Sequence, residues 1–80
     1  MRRTPEQDII FIEGCIQDSL YARGRYLDCR YLYVDRVSEE LSNILVSMGV
    51  QQSNMGVDFR ADDHTYLKAL DILKLMIEES

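Results

Sequence analysis

The sequence predicts an all-α protein, either a small three-helix bundle or a helical hairpin followed by a C-terminal helix. Three observations carry that prediction. Apolar residues recur at helical spacing from Ile9 to Met48, a capping signature opens the first segment, and nine of the twelve residues in 66–77 are apolar. Helical segments are expected over about residues 5–23, 25–48 and 62–79, joined by a loop at 49–61, within one domain spanning 1–80.

The first segment begins at Thr4-Pro5-Glu6-Gln7. Thr4 suits the N-cap, Pro5 the first helical position, and Gln7 completes a capping box, while Glu6 and Asp8 favour the positive end of the dipole. Ile9, Ile12, Ile16 and Leu20 follow at helical spacing.

The second segment turns on Gly24. Leu27, Tyr31, Val34, Leu41, Leu45 and Met48, with Ser38 filling one step, all fall within roughly 60° of Ile9 on a helical wheel. The stripe therefore crosses Gly24 without a phase shift, which supports one long N-terminal helix continuous through that glycine. A hairpin turning at Gly24 is the competing arrangement, because a helix of 44 residues is far longer than small domains use. Gly49 then reads as the residue that ends the helix.

Residues 49–61 form a long connection in which Met55, Val57 and Phe59 alternate, as in an extended segment with one face on the core. It is read as a lid over one end of the bundle or as a loop that contacts a partner. Asp62 or Asp63 caps the last helix. That helix carries Tyr66, Ala69, Leu70, Leu73, Met76 and Ile77 on one side, with Leu67, Ile72 and Leu75 pointing elsewhere. Lys68 with Asp71 and Lys74 with Glu78 have the spacing of surface ion pairs.

The net charge of −5 is unevenly placed. Residues 1–36 hold six acids and six arginines, whereas residues 37–80 hold eight acids against Arg60, Lys68 and Lys74. An acidic second half repels phosphate backbones, so nucleic acid is disfavoured as a partner. The segment 21–36 nevertheless concentrates arginine and tyrosine. On a continuous helix, Arg23 and Arg30 border the apolar stripe, Arg25 and Arg36 lie on the far side, and Tyr26, Arg30 and Tyr33 stack at i, i+4 and i+7. Two faces result rather than one basic patch. A two-fold axis would be needed to gather Arg23, Arg25, Tyr26, Arg30, Tyr33 and Arg36 into a nucleic-acid or secondary protein surface.

No apolar run approaches the roughly 18 residues of a membrane helix. Asp8 and Glu13 interrupt the apolar stretch that follows the arginine pair, so it does not read as a signal sequence. No membrane association is expected, and the expected location is cytoplasmic. Cys15 and Cys29 are too few for a disulfide framework and match no zinc spacing. The cluster of Asp58, Asp62, Asp63 and His64 matches no calcium or zinc motif, and no phosphate-cradling glycine loop or serine elbow is present. The sequence thus predicts no enzyme, no cofactor and no metal site.

What is left over is apolar surface. A helix apolar nearly all round needs burial on several sides, and a three-segment chain has little protein with which to cover it. The sequence therefore predicts a non-catalytic interaction module that binds stoichiometrically, as an adaptor, subunit, inhibitor or small chaperone. Its partner would be a second copy, a larger protein, or both. The predicted interface is Tyr66, Leu67, Leu70, Ile72, Leu73, Leu75 and Met76. The alternative is a small dimeric nucleic-acid regulator using segment 21–36.

Overall fold

The computed structural model describes residues 1–23, 31–53 and 55–79, with side chains of 1–18 in the first stretch. In chain order the elements are α1 (Pro5–Arg23), β1 (Tyr31–Val34), α2 (Glu39–Ser47), β2 (Gln52–Ser53), β3 (Asp58–Asp62) and α3 (Asp63–Glu79). The strands form one antiparallel sheet in the order β1-β3-β2. The protein is therefore α+β, and the all-α prediction is overturned.

The error lies in the second predicted segment. Tyr31 and Val34 sit in helical phase with Ile9, yet they belong to a strand, where Tyr31 and Tyr33 point one way and Leu32 and Val34 the other. Neither the helical hairpin nor the continuous helix survives, because β1 interrupts both. Gly24 itself lies outside the described residues.

Local chemistry explains the ends of the helices. At α1, the Thr4 N–H donates to Gln7 Oε1 (3.0 Å) and the Gln7 N–H to Thr4 Oγ1 (3.2 Å), which closes the predicted capping box. Ser38, taken from sequence as a step in the helical stripe, is instead the N-cap of α2, its Oγ accepting from the Leu41 N–H at 3.1 Å. Gly49 ends α2 as expected. With φ of +87°, it lets its own N–H reach Val46 O (3.0 Å) and the Val50 N–H reach Leu45 O (3.0 Å). Asp62 is both the last residue of β3 and the cap of α3, where its Oδ1 accepts from the Thr65 N–H at 2.7 Å.

The predicted loop 49–61 holds two of the three strands. β2 and β3 form a hairpin in register Ser53↔Asp58, its turn closed by the Gly56 N–H on Ser53 O at 3.2 Å. Gly56 has φ of +82°, and a Cβ there would lie 2.9 Å from Gln52 Oε1. The positive φ favours glycine, whereas the exposed Gln52 side chain could swing away from a methyl group. Of the three residues expected to alternate onto the core, Phe59 is buried and Val57 partly so, but Met55 projects into solvent from the turn with φ of 62°.

The helices cover one face of the sheet. Val34, Phe59 and Ala61 from that face join Ile12 and Ile16 of α1, Leu41, Ile44 and Leu45 of α2, and Tyr66, Ala69, Leu70 and Leu73 of α3 in one core. The Tyr66 hydroxyl is buried and donates to Phe59 O at 3.0 Å, tying α3 to the central strand. Among the described residues, no helix is long and apolar enough to cross a membrane.

Candidate interaction surfaces

The predicted α3 interface splits in two. Tyr66, Leu70 and Leu73 are at most 1% exposed and belong to the chain's own core, so they are not free to meet a partner. The sheet supplies the floor that an all-helical reading lacked, and these three side chains rest on it. Leu67, Ile72, Leu75 and Met76 stay accessible at 44, 43, 57 and 43%. At 100° per residue, Ile72, Leu75 and Met76 lie together at i, i+3 and i+4 on one flank, whereas Leu67 falls on the other. Leu67 shares a shallow groove with Ile10, Glu13, Gly14, Ile16 and Gln17 of α1. Below it, Lys74 Nζ meets Glu13 Oε2 of α1 at 2.8 Å, a contact between helices in place of the predicted pairing with Glu78. That carboxylate also raises the Lys74 pKa.

Within the arginine–tyrosine segment, Arg25, Tyr26 and Arg30 lie outside the described residues, and Arg23 closes α1. Tyr33 is on a strand and not on the helix that the predicted i, i+4, i+7 spacing assumes. Its neighbours are instead across the sheet. Tyr31 and Tyr33 stand on the solvent face at 63 and 58% exposure, opposite Asp62 and Arg60. The Arg60 guanidinium lies 5.4 Å from the Tyr31 ring centroid. The Tyr33 hydroxyl donates to Asp58 Oδ2 at 2.7 Å, and that bond raises the phenol's pKa. The alternation of Tyr-Leu-Tyr-Val was the signal for this face. It was legible as period two but too short to outweigh the helical phase.

A third surface was not foreseen. The N-terminal arm folds back along residues 35–37. The Arg3 N–H donates to Arg36 O (2.8 Å) and Arg2 Nε to Val37 O (2.8 Å), while Arg2 Nη2 reaches Gly56 O (3.3 Å). Arg3 donates to the Asp35 carbonyl, pairs with Asp35 Oδ1 at 3.3 Å, and stacks 3.8 Å from the centroid of Phe11. Arg36, held at φ of 56°, turns its guanidinium to solvent and touches Asp35 Oδ2 at 3.4 Å. Together Arg2, Arg3, Arg36, Gln7, Ile10 and Phe11 line a crevice of about 460 Å³ that also touches Met1. No sequence signal joins positions 2, 3 and 36, because only the folded chain brings them together.

One buried carboxylate organises this region. Asp8 of α1 is fully buried, and its Oδ2 accepts from the Ser38 N–H at 2.7 Å, so it joins α1 to the first turn of α2. Burial raises its pKa, Ser38 and Arg3 oppose the rise, and Glu40 adds to it. Asp8 Oδ1 is buried without a hydrogen-bond partner.

Burial, with Asp18 nearby, pushes the Cys15 thiol up, away from the thiolate form a nucleophile needs. His64 is exposed near the start of α3. Among the described residues, no three His, Cys, Asp or Glu side chains gather in a way that could hold a metal ion.

Comparison of the chain with known protein families, with curated proteins and with solved structures finds no match in any of the three.

Proposed function

We propose that the chain is a non-catalytic protein-interaction module that acts by stoichiometric binding, as an adaptor, subunit, inhibitor or small chaperone. The observation that carries this reading is the exposed apolar flank of α3. Ile72, Leu75 and Met76 stand side by side, outside the core formed by the described residues. A contiguous apolar surface that folding does not use is the usual mark of an interface. The free thiol at Cys15 fits a reducing, cytoplasmic setting.

The reading is tested with a photo-crosslinking side chain placed at Leu75 and, as a control, at exposed Asn43 of α2, in the chain's native cells. A discrete adduct from position 75 that is absent from position 43 is expected. Equal labelling from both positions, or none from position 75, sinks the reading.

A second reading, binding of single-stranded nucleic acid, draws on Tyr31, Tyr33 and Arg60 sharing the solvent face of the sheet. Asp58 and Asp62 on the same face weaken it. Affinity for a random single strand that falls steeply with salt supports this alternative, and no binding at low salt removes it.

A further inference from the structure

We propose that the last turn of α3 from one copy seats in the Arg2–Arg3–Arg36 crevice of a second copy. This deepens the interaction-module reading and rests on it.

Charge complementarity is the first argument. The described residues lining the crevice include three arginines and no acid, in a chain whose net charge is −5. The neighbouring Asp35 is already shared between Arg3 and Arg36. The last turn of α3 is the opposite. It contains no basic residue, and Glu78 and Glu79 stand exposed at the negative end of the helix dipole. Two carboxylates at the negative end of a helix dipole are unfavourable, so an external cation relieves the turn.

The apolar groups match as well. Ile10 and Phe11 are 74 and 40% exposed at the crevice, and Leu75 and Met76 are 57 and 43% exposed beside the two glutamates. Each surface is thus an apolar centre rimmed by one sign of charge.

Placement makes the contact reciprocal. Pro5 and Glu6 at the start of α1 line a pocket with Met76 and Ile77, and Ile10 lines both the crevice and the groove that holds Lys74 and Glu78. Crevice and acidic turn therefore lie at one end of the molecule, on either side of α1. A two-fold axis at that end seats each turn in the other copy's crevice and closes the assembly as a dimer.

The test is sedimentation of the full chain across concentration, with one variant whose crevice charge is cancelled and one whose turn is charge-reversed. Gln7→Glu with Arg36→Glu cancels the positive charge of the crevice, two glutamates now facing Arg2 and Arg3, and keeps the capping box, since glutamate serves at that position. Glu78→Lys with Glu79→Lys reverses the turn and suits the helix end. Circular dichroism verifies that both variants are folded.

The expected result is a dimer whose Kd rises about tenfold or more between about 0.05 M and 0.5 M salt. Each variant alone is monomeric, and an equimolar mixture of the two forms a heterodimer, because the intact crevice of one meets the intact acidic turn of the other. A wild-type chain that stays monomeric at millimolar concentration overturns the proposal, and the interaction reading then stands or falls on its crosslinks. A dimer that ignores both charge variants yet dissociates with Leu75→Glu also overturns it, while leaving the α3 flank as an interface. Folded variants that fail to restore a dimer on mixing refute the reciprocal geometry.

Discussion

Replacing Asp8 tests how α1 is joined to α2. In Asp8→Ala the buried Ser38 N–H loses its acceptor at the N-terminus of α2, where no helical carbonyl can replace it. An orphaned buried donor costs about 1–3 kcal/mol. A domain of this length has a total stability of only about 4–12 kcal/mol. At about 4–8 °C per kcal/mol, the melting temperature should fall by about 5–20 °C.

Asp8→Asn retains a carbonyl oxygen for Ser38 and removes the charge, so at neutral pH it should lie within about 1 kcal/mol of wild type. The two chains then separate with pH. Burial raises the Asp8 pKa, against hydrogen bonds from Ser38 and attraction from Arg3 and with repulsion from Glu40. A carboxyl whose folded pKa is raised binds its proton more tightly folded than unfolded. Its contribution is favourable in acid and is lost as pH climbs from the unfolded pKa through the folded one. Urea denaturation between about pH 4 and pH 7 should therefore show wild type gaining on Asp8→Asn as the solution is acidified. A constant gap between the two would refute the reasoning. A gap that moves against wild type in acid would mean that Ser38 and Arg3 outweigh burial.

Two further outcomes follow from the backbone and the core. Gly49→Ala has open space for its methyl group but must hold φ near +87°, so it should cost about 1–2 kcal/mol in urea melts through backbone strain alone; no loss would mean the turn reorganises. Tyr66→Phe should cost about 0.5–1.5 kcal/mol by removing the buried hydroxyl's hydrogen bond to Phe59 O. Because burial raises the Tyr66 pKa, the same variant should abolish a late phase in alkaline absorbance titration, and an unchanged late phase would refute the assignment.

What the sequence disclosed divides by range. The capping box at Thr4 and Gln7, the helix stop at Gly49 and the cap at Asp62 depend on neighbours within five positions, and each is in place. β1 was lost because four residues are too few to assert period two. A tolerance of roughly 60° either way also accepts about a third of all positions by chance, Tyr31 and Val34 among them. Ser38-Glu39-Glu40 has the composition of a helix start, and a stripe continuous through it hides that signal.

The candidate surfaces follow the same rule. Exposure of Leu67, Ile72 and Leu75 could be read from the wheel. Burial of Tyr66, Leu70 and Leu73 could not be separated from an interface until the sheet beneath them was known. The crevice of Arg2, Arg3 and Arg36 depends on contacts across more than thirty positions, as between Arg3 and Asp35, and periodicity carries no such information.

The junction at Asp62 and Asp63 has a mechanical consequence. The central strand passes directly into the longest helix of the C-terminal half with no intervening loop. A strand turns its side chains by about 180° per residue and a helix by about 100°, and here the two rotations share one axis of chain. Slipping the hairpin by one residue would put Phe59 in water and would turn α3 against α1 and α2 as well. One inserted residue at the junction would likewise swing Ile72, Leu75 and Met76 about a quarter turn around the helix. The chain thus has a gear between sheet register and helix azimuth, and length changes should be accommodated at the hairpin tip around Met55 but rejected at Asp62.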